Sequence, residues 1–177
     1  MYRAVKEKGK SKISRKQVQD WLSQQDVYTL HKPARKHYKT SRIIVCNIDE
    51  QFQADLVDVQ NLSRYNKGYK YLLTCIDIFS KYAWVVPLKT KQGHELVKAF
   101  QTILASGRKP SKLQTDQGTE FLNRVFQKFL RENNIGFFTV KSGLKASVVE
   151  RFNRTFKNKM YKYFTAKDTL TYIDVVT

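Results

Sequence analysis

The sequence predicts an α/β fold, a five-stranded mixed sheet with helices on both faces. Three observations carry that expectation. Five short runs rich in β-branched and aromatic residues are spread over residues 52–140, a composition suited to a pleated, packed surface. The first three follow one another with only polar turns between them, as in an antiparallel meander. The last two alternate with segments whose apolar residues recur every three or four positions, and strands alternating with amphipathic helices imply parallel crossovers.

The elements follow in order. MYRAVKEKGKSKI (1–13) is polar and charged and reads as an arm. Ser14 suits the N-cap of a helix over 15–25, where Val18, Trp21 and Leu22 form one apolar stripe. YTLHKPARKHYKTSR, interrupted by Pro33, reads as a basic connector, so residues 1–45 make an arm, a short helix and a link. IIVCNI (43–48) is either a short strand or the end of that link. FQADLVDV (52–59) is the first core strand, followed by the polar turn NLSRYNKG. YKYLLTCIDIF (69–79) and YAWVVPL (82–88), joined by a short Ser-Lys link, predict a hairpin. A helix is expected near 92–106, with Val97, Phe100, Ile103 and Leu104, then the strand KLQT (112–115). A helix over 119–132 carries Phe121, Phe126, Phe129 and Leu130, and IGFFTV (135–140) is the fifth strand. The last long helix spans 146–164, with Val149, Phe152, Phe156, Met160 and Tyr163 expected to face the sheet. The core thus occupies 46–165, and residues 166–177 read as the start of a truncated C-terminal helix. This element order matches the ribonuclease H-like fold by analogy.

Charge narrows the partners. Lys and Arg number 33 against 15 Asp and Glu, a net +18. Residues 1–45 hold twelve basic and three acidic residues, and residues 141–163 hold seven basic and one acidic. Such clustering points to a polyanion, nucleic acid before an anionic membrane surface. No apolar run approaches the ~20 residues that cross a bilayer, and the basic N-terminus is not followed by an apolar signal core; an intracellular protein is expected. Cys46 and Cys75 lie in or beside apolar runs and read as buried free thiols rather than a disulfide.

Candidate chemistry rests on carboxylates. Asp55 and Asp58 sit an odd number of residues apart in one strand, so only one of them faces a given site. Asp55 is mid-strand, where an unpaired buried charge costs several kcal/mol and calls for a cation or a hydrogen-bonded partner. Asp58 is nearer the strand end, where solvent or a loop can reach it. Asp116 stands where KLQT gives out, with Gly118 expected to free the turn; on local grounds it serves equally as a cap or as a metal ligand. Glu120, in the first turn of the next helix, suits the helix dipole and reads as structural. Glu150 precedes Arg154 by four and Lys157 by seven, so the three share a helix face. Alone, that pattern is an ordinary surface ion pair. Asp77, at a strand end, reads as a hairpin cap.

Taken together, F-Q-A-D at 52–55, D-Q-G-T-E-F at 116–121 and V-E-R-F-N-R-T-F-K at 149–157 resemble the catalytic core of retroviral-type integrases. The resemblance covers residues 50–165 with three ordered motifs, and thirty-three residues separate Asp116 from Glu150. The wording QADLVD and YTLHKPARK looks most like the integrases of Maverick/Polinton transposons. Three details depart from the family pattern: Phe52 stands where Trp is frequent, Gln117 where Asn is usual, and KSGLKAS lacks the common Pro-Gln-Ser-Asn-Gly wording.

The resemblance implies a polynucleotidyl transferase acting on double-stranded DNA, processing the 3′ ends of a mobile element and transferring them to a target. It implies two Mg²⁺ or Mn²⁺ ions held by Asp55, Asp116 and Glu150, with Asp55 shared, and DNA contacts from Arg154, Lys157 and Lys141. A homodimer or larger homo-oligomer is expected, in the nucleus if the element is eukaryotic. The family's separate His-His-Cys-Cys zinc domain is not expected here, because His31, His37, Cys46 and Cys75 include no C-x-x-C pair. Without a C-terminal barrel or chromodomain in the sequence, a core fragment or a reduced protein is expected. The competing readings are a catalytically inactive or domesticated DNA-binding and assembly module, and a ribonuclease H-type nuclease, against which the VERFNRT wording argues.

Overall fold

The computed structural model describes residues 13–25, 43–139 and 146–176. The chain divides into two units, Met1–Thr40 and Ser41–Thr177. In the first, helix α1 (Arg15–Ser23) begins as its sequence demands: Ser14 accepts from the Gln17 N–H, and the Gln17 side chain accepts from the Ser14 N–H, closing a capping box. Val18 and Leu22 are half-buried, while Trp21 is exposed.

In the second unit, residues 43–46 adopt no regular structure and are the end of the link rather than a strand. Strands β1 (Gln51–Asp58), β2 (Tyr71–Asp77), β3 (Ala83–Leu88), β4 (Lys112–Thr115) and β5 (Gly136–Thr139) form one sheet in the order β3-β2-β1-β4-β5. β1 pairs antiparallel with β2, and β2 with β3. β1 pairs parallel with β4, and β4 with β5. The mixed five-stranded sheet is therefore the one the sequence predicts. Pro87 lies in the edge strand β3, where its missing N–H breaks no ladder.

The central strand β1 is covered on both sides. Phe52 and Ala54, fully buried, pack with Leu96, Phe100 and Ile103 of α2 (Gly93–Leu104) and with Phe121, Phe126 and Leu130. On the opposite face Val57 packs with Met160 and Phe164 of α5 (Ser147–Lys167). A polar residue on β1 therefore meets either a helix or an end of the sheet.

Four local expectations are corrected. The segment predicted as one helix over 119–132 is two, α3 (Thr119–Leu122) and α4 (Arg124–Glu132). Asn123 leaves helical geometry, and its Oδ1 accepts from the Phe126 N–H at 2.8 Å; a residue able to cap a new helix offers the backbone an alternative to continuing the old one. The inward line of α5 runs through Val149, Asn153, Met160 and Phe164, with Phe152, Phe156 and Tyr163 half-buried beside it. Cys46 is exposed, because it lies in the irregular stretch before β1; only Cys75 is buried, and burial pushes its thiol up. The polar turn after β1 is a 3-10 helix, Gln60–Tyr65.

α5 ends at Asp168 in the left-handed region (φ 47°), and a short helix α6 (Ile173–Val176) follows. Buried Asn66 holds this return. Its Nδ2 donates to the carbonyls of Leu62 and Leu170, and its Oδ1 accepts from Tyr172 and Ile173. No helix among the described residues is long and apolar enough to cross a membrane.

The aromatic packing of Phe126 on Phe100, Phe121 and Phe129 anchors α2, α3 and α4 to one another. Phe126→Ala is expected to lower unfolding stability by about 3–5 kcal/mol, read as a fall in the urea midpoint at unchanged slope.

Candidate active site

β1 carries Gln53, Asp55 and Val57 toward α5, since alternate residues share a face. Asp55 is half-buried. Its Oδ1 accepts from the Leu56 N–H at 2.8 Å, and its Oδ2 accepts from Asn153 Nδ2 at 2.7 Å. Asp116 follows the last residue of β4 and is exposed; its Oδ1 accepts from the Gly118 N–H at 3.1 Å. Glu150 is exposed in the first turn of α5.

Electrostatics tie the three together. Burial pushes the Asp55 carboxyl above its ordinary value, and the charges of Asp116 and Glu150 push it the same way against the Leu56 and Asn153 hydrogen bonds. None of the three forms an ion pair with a described residue. The i,i+4 pair between Glu150 and Arg154 that the helix spacing allows is not made. Instead Arg154 and Lys157 line, with Asp55, Asp58, Glu150 and Asn153, an open cleft of about 380 Å³. Lys141 lies outside the described residues, as do His31 and His37.

Asp55 in the field of two further carboxylates, with no ion pair to any of the three, is a set of oxygen donors of the kind a hard divalent ion takes. The carboxylates nevertheless stand apart: among the described residues no three His, Cys, Asp or Glu form a group close enough to hold a metal.

The other acids have partners. Asp58 is exposed and accepts from the Gln60 N–H and side chain, capping the turn that follows β1. Those bonds hold its carboxyl below the ordinary range. Glu120 pairs with Lys91 at 3.6 Å. Asp77 accepts from the N–H groups of Phe79 and Ser80, the hairpin cap expected of it, and also from Arg108 at 2.8 Å.

Gly118 corrects a further expectation. Its φ of −58° is open to any residue, so it does not free the turn. A Cβ there would stand 3.0 Å from Asp116 Oδ1 and 2.9 Å from Glu120 Cδ; glycine lets these two acidic side chains lie over the turn, and a larger residue would make them shift.

Two polar residues outside the acidic set stand beside the carboxylates. Asn153 donates to Asp55, and its own Oδ1 is buried with no partner among the described residues. Gln53 is fully buried and bonded to α5 and β4. Both carried a signal: Asn153 follows Glu150 by three on a helix, and Gln53 precedes Asp55 by two on a strand.

Residues 49–143 match the family model described as the integrase core domain. A transposon-derived protein of Caenorhabditis elegans is 40% identical over 119 residues, 65% of this chain and 42% of that protein. A Ty1 transposon Gag-Pol polyprotein of Saccharomyces cerevisiae is 33% identical over 131 residues, 68% of this chain but 8% of the polyprotein. The chain thus spans less than half of the length of either relative. Among solved structures, the HTLV-2 integrase catalytic core in complex with magnesium aligns with a TM-score of 0.56 at 28% identity, covering 67% of this chain and 73% of that one; it is known in trimeric and dimeric forms. A simian T-cell lymphotropic virus intasome shares the fold, with a TM-score of 0.65 at 19% identity over 88% of this chain and 55% of that one.

A carboxyl with a raised folded-state pKa adds stability that is complete below the unfolded value and is lost as pH rises through the folded one. Asp55→Asn removes that loss. The variant is expected to be more stable than the parent at pH 7, with the gain shrinking toward pH 4, as measured by urea midpoints across that range.

Proposed function

The chain belongs to the integrase core domain family, and from that premise we propose that it cuts and joins DNA strands, processing the 3′ ends of a mobile element's DNA and transferring them into target DNA. The observation that carries this reading is the cleft that Asp55 and Glu150 line together with Arg154 and Lys157, with no ion pair formed between these acids and bases; the charges of Asp116 and Glu150 both push the Asp55 carboxyl upward.

Asp55, Asp116 and Glu150 are the residues that would hold magnesium or manganese. Bound there, the ions would polarise the scissile phosphate and activate the attacking water or 3′-hydroxyl for in-line displacement. The chain's own residues supply the rest. Asn153 fixes one Asp55 oxygen by donating to it, and the Leu56 N–H fixes the other. Gly118 leaves room for the Asp116 side chain. Arg154 and Lys157, one helical turn apart on the exposed side of α5, are placed to take up phosphates flanking the scissile bond. The relatives' contexts, transposons and a viral integrase with magnesium, support the same substrate class. Self-association is part of the proposal, since joining two element ends to one target needs two sites, and so is a nuclear place of action in a eukaryotic host.

Asp116→Asn is expected to cut metal-dependent nicking of element-end DNA at least ~100-fold, a loss of several kcal/mol of transition-state stabilisation. Nicking that survives the substitution with Mg²⁺ or Mn²⁺ present would remove Asp116 from the site. Arg154→Ala and Lys157→Ala are each expected to weaken DNA binding without sequence preference. The slope of log affinity against log salt should fall by roughly one unit per residue, checked by fluorescence titration at several salt concentrations.

A further inference from the structure

One buried amide touches all three elements that carry the carboxylates. Gln53 lies on β1 two residues before Asp55. Its Oε1 accepts from the backbone N–H groups of Val148 and Val149, each at 3.0 Å, in the turn of α5 that leads into Glu150. Its Nε2 donates at 2.9 Å to Gln114 Oε1, on β4 two residues before Asp116. Gln51 donates to the same oxygen at 2.7 Å.

The backbone alone does not supply this registration. The ladder between β1 and β4 ends at the pair Gln53 and Gln114, so Asp55 and Asp116 stand beyond the point where the two strands are bonded. The first N–H groups of a helix have no intrahelical acceptor, and Ala146, at the N-cap of α5, offers no side-chain cap. Gln53 supplies that cap from the sheet. It thereby holds the start of α5 at a set height over β1, while Gln114 holds Gln53's amide in the orientation that leaves Oε1 facing the helix.

We infer that Gln53 is a positioning residue that sets Glu150 against Asp55 and Asp116. It touches no substrate and acts through the first turn of α5. The inference rests on the reading of the three carboxylates as the catalytic set, but its mechanical part is testable without turnover.

The full chain carrying Gln53→Met, close to glutamine in length but with neither donor nor acceptor of strength, is compared with the parent and with Gln51→Met, which leaves both of Gln53's links in place. Hydrogen exchange at the Val148 and Val149 amides is expected to speed up in Gln53→Met and stay unchanged in Gln51→Met. Mn²⁺ affinity, titrated directly, is expected to weaken about 10–100-fold in Gln53→Met, the usual effect of removing a group that orients metal ligands. On element-end DNA, kcat should fall by a similar factor while KM holds. Folded Gln53→Met with protected amides and parental Mn²⁺ affinity would overturn the inference. Should that variant not fold, the parent decides: Val148 and Val149 amides exchanging as fast as that of exposed Ser147 would overturn it equally. A parent that neither binds Mn²⁺ nor nicks DNA sinks the functional reading instead, and amide exchange still judges the role of Gln53.

Discussion

Strand β1 is covered on both faces, and every polar group on it must therefore find a partner inside the protein or at the end of the sheet. That constraint organises the site. On the side of α2 and α4 the strand presents Phe52 and Ala54, which need only packing. On the side of α5 it presents Gln53 and Asp55, which need hydrogen bonds. Leaving a buried amide unmatched costs a few kcal/mol and a buried charge more. α5 meets the demand with two backbone N–H groups and the Asn153 side chain. The helix that brings Glu150 is thus docked by the needs of the strand that brings Asp55.

The two ends of the sheet treat acids in opposite ways. Near the start of β1, Arg108 bonds Asp49 at its Oδ1 and fully buried Asp77 at 2.8 Å, with its guanidinium over Phe52, Tyr82 and Trp84. There the charges are paired, and Asp77 is held below the ordinary carboxylate range despite its burial, through its bonds to Ser80 and Arg108. Near the end of β1, Asp55 is raised by burial and by two neighbouring carboxylates. Repulsion between like charges is relieved by a proton or by a bound cation. One cluster holds the fold together; the other stores unfavourable field where a ligand can use it.

Much of this was legible in advance, and the misses have physical causes. Strand runs and helical periods depend on neighbours in sequence, so the element order and the mixed sheet are readable there, as are the Ser14 N-cap and the Asp77 hairpin cap. The break at Asn123 was missed because a capping residue and a mid-helix residue look alike until the chain direction is known. Gly118 reads as a source of backbone freedom, whereas its φ is ordinary and what it leaves is space beneath Asp116 and Glu120. Cys46 was expected inside because of its apolar neighbours, but exposed Ile44 and Ile48 flank it. Gln53 and Asn153 escaped notice because a buried amide declares itself only through what it bonds.

By itself the sequence determined which residue types stand at which spacing: three carboxylates in ordered motifs, the strands and helix that carry them, and the basic surplus that suits a polyanion. Those are local properties, decided by side-chain chemistry and by the periods of strand and helix. Only the tertiary structure decided which acids are neutralised and which are left to repel one another. Asp77 and Glu120 carry the same carboxylate as Asp55, Asp116 and Glu150, yet Asp77 meets Arg108 and Glu120 meets Lys91, whereas none of the other three forms an ion pair with a described residue. Coulomb energy depends on distance and burial, and both are set by chain segments far apart in sequence.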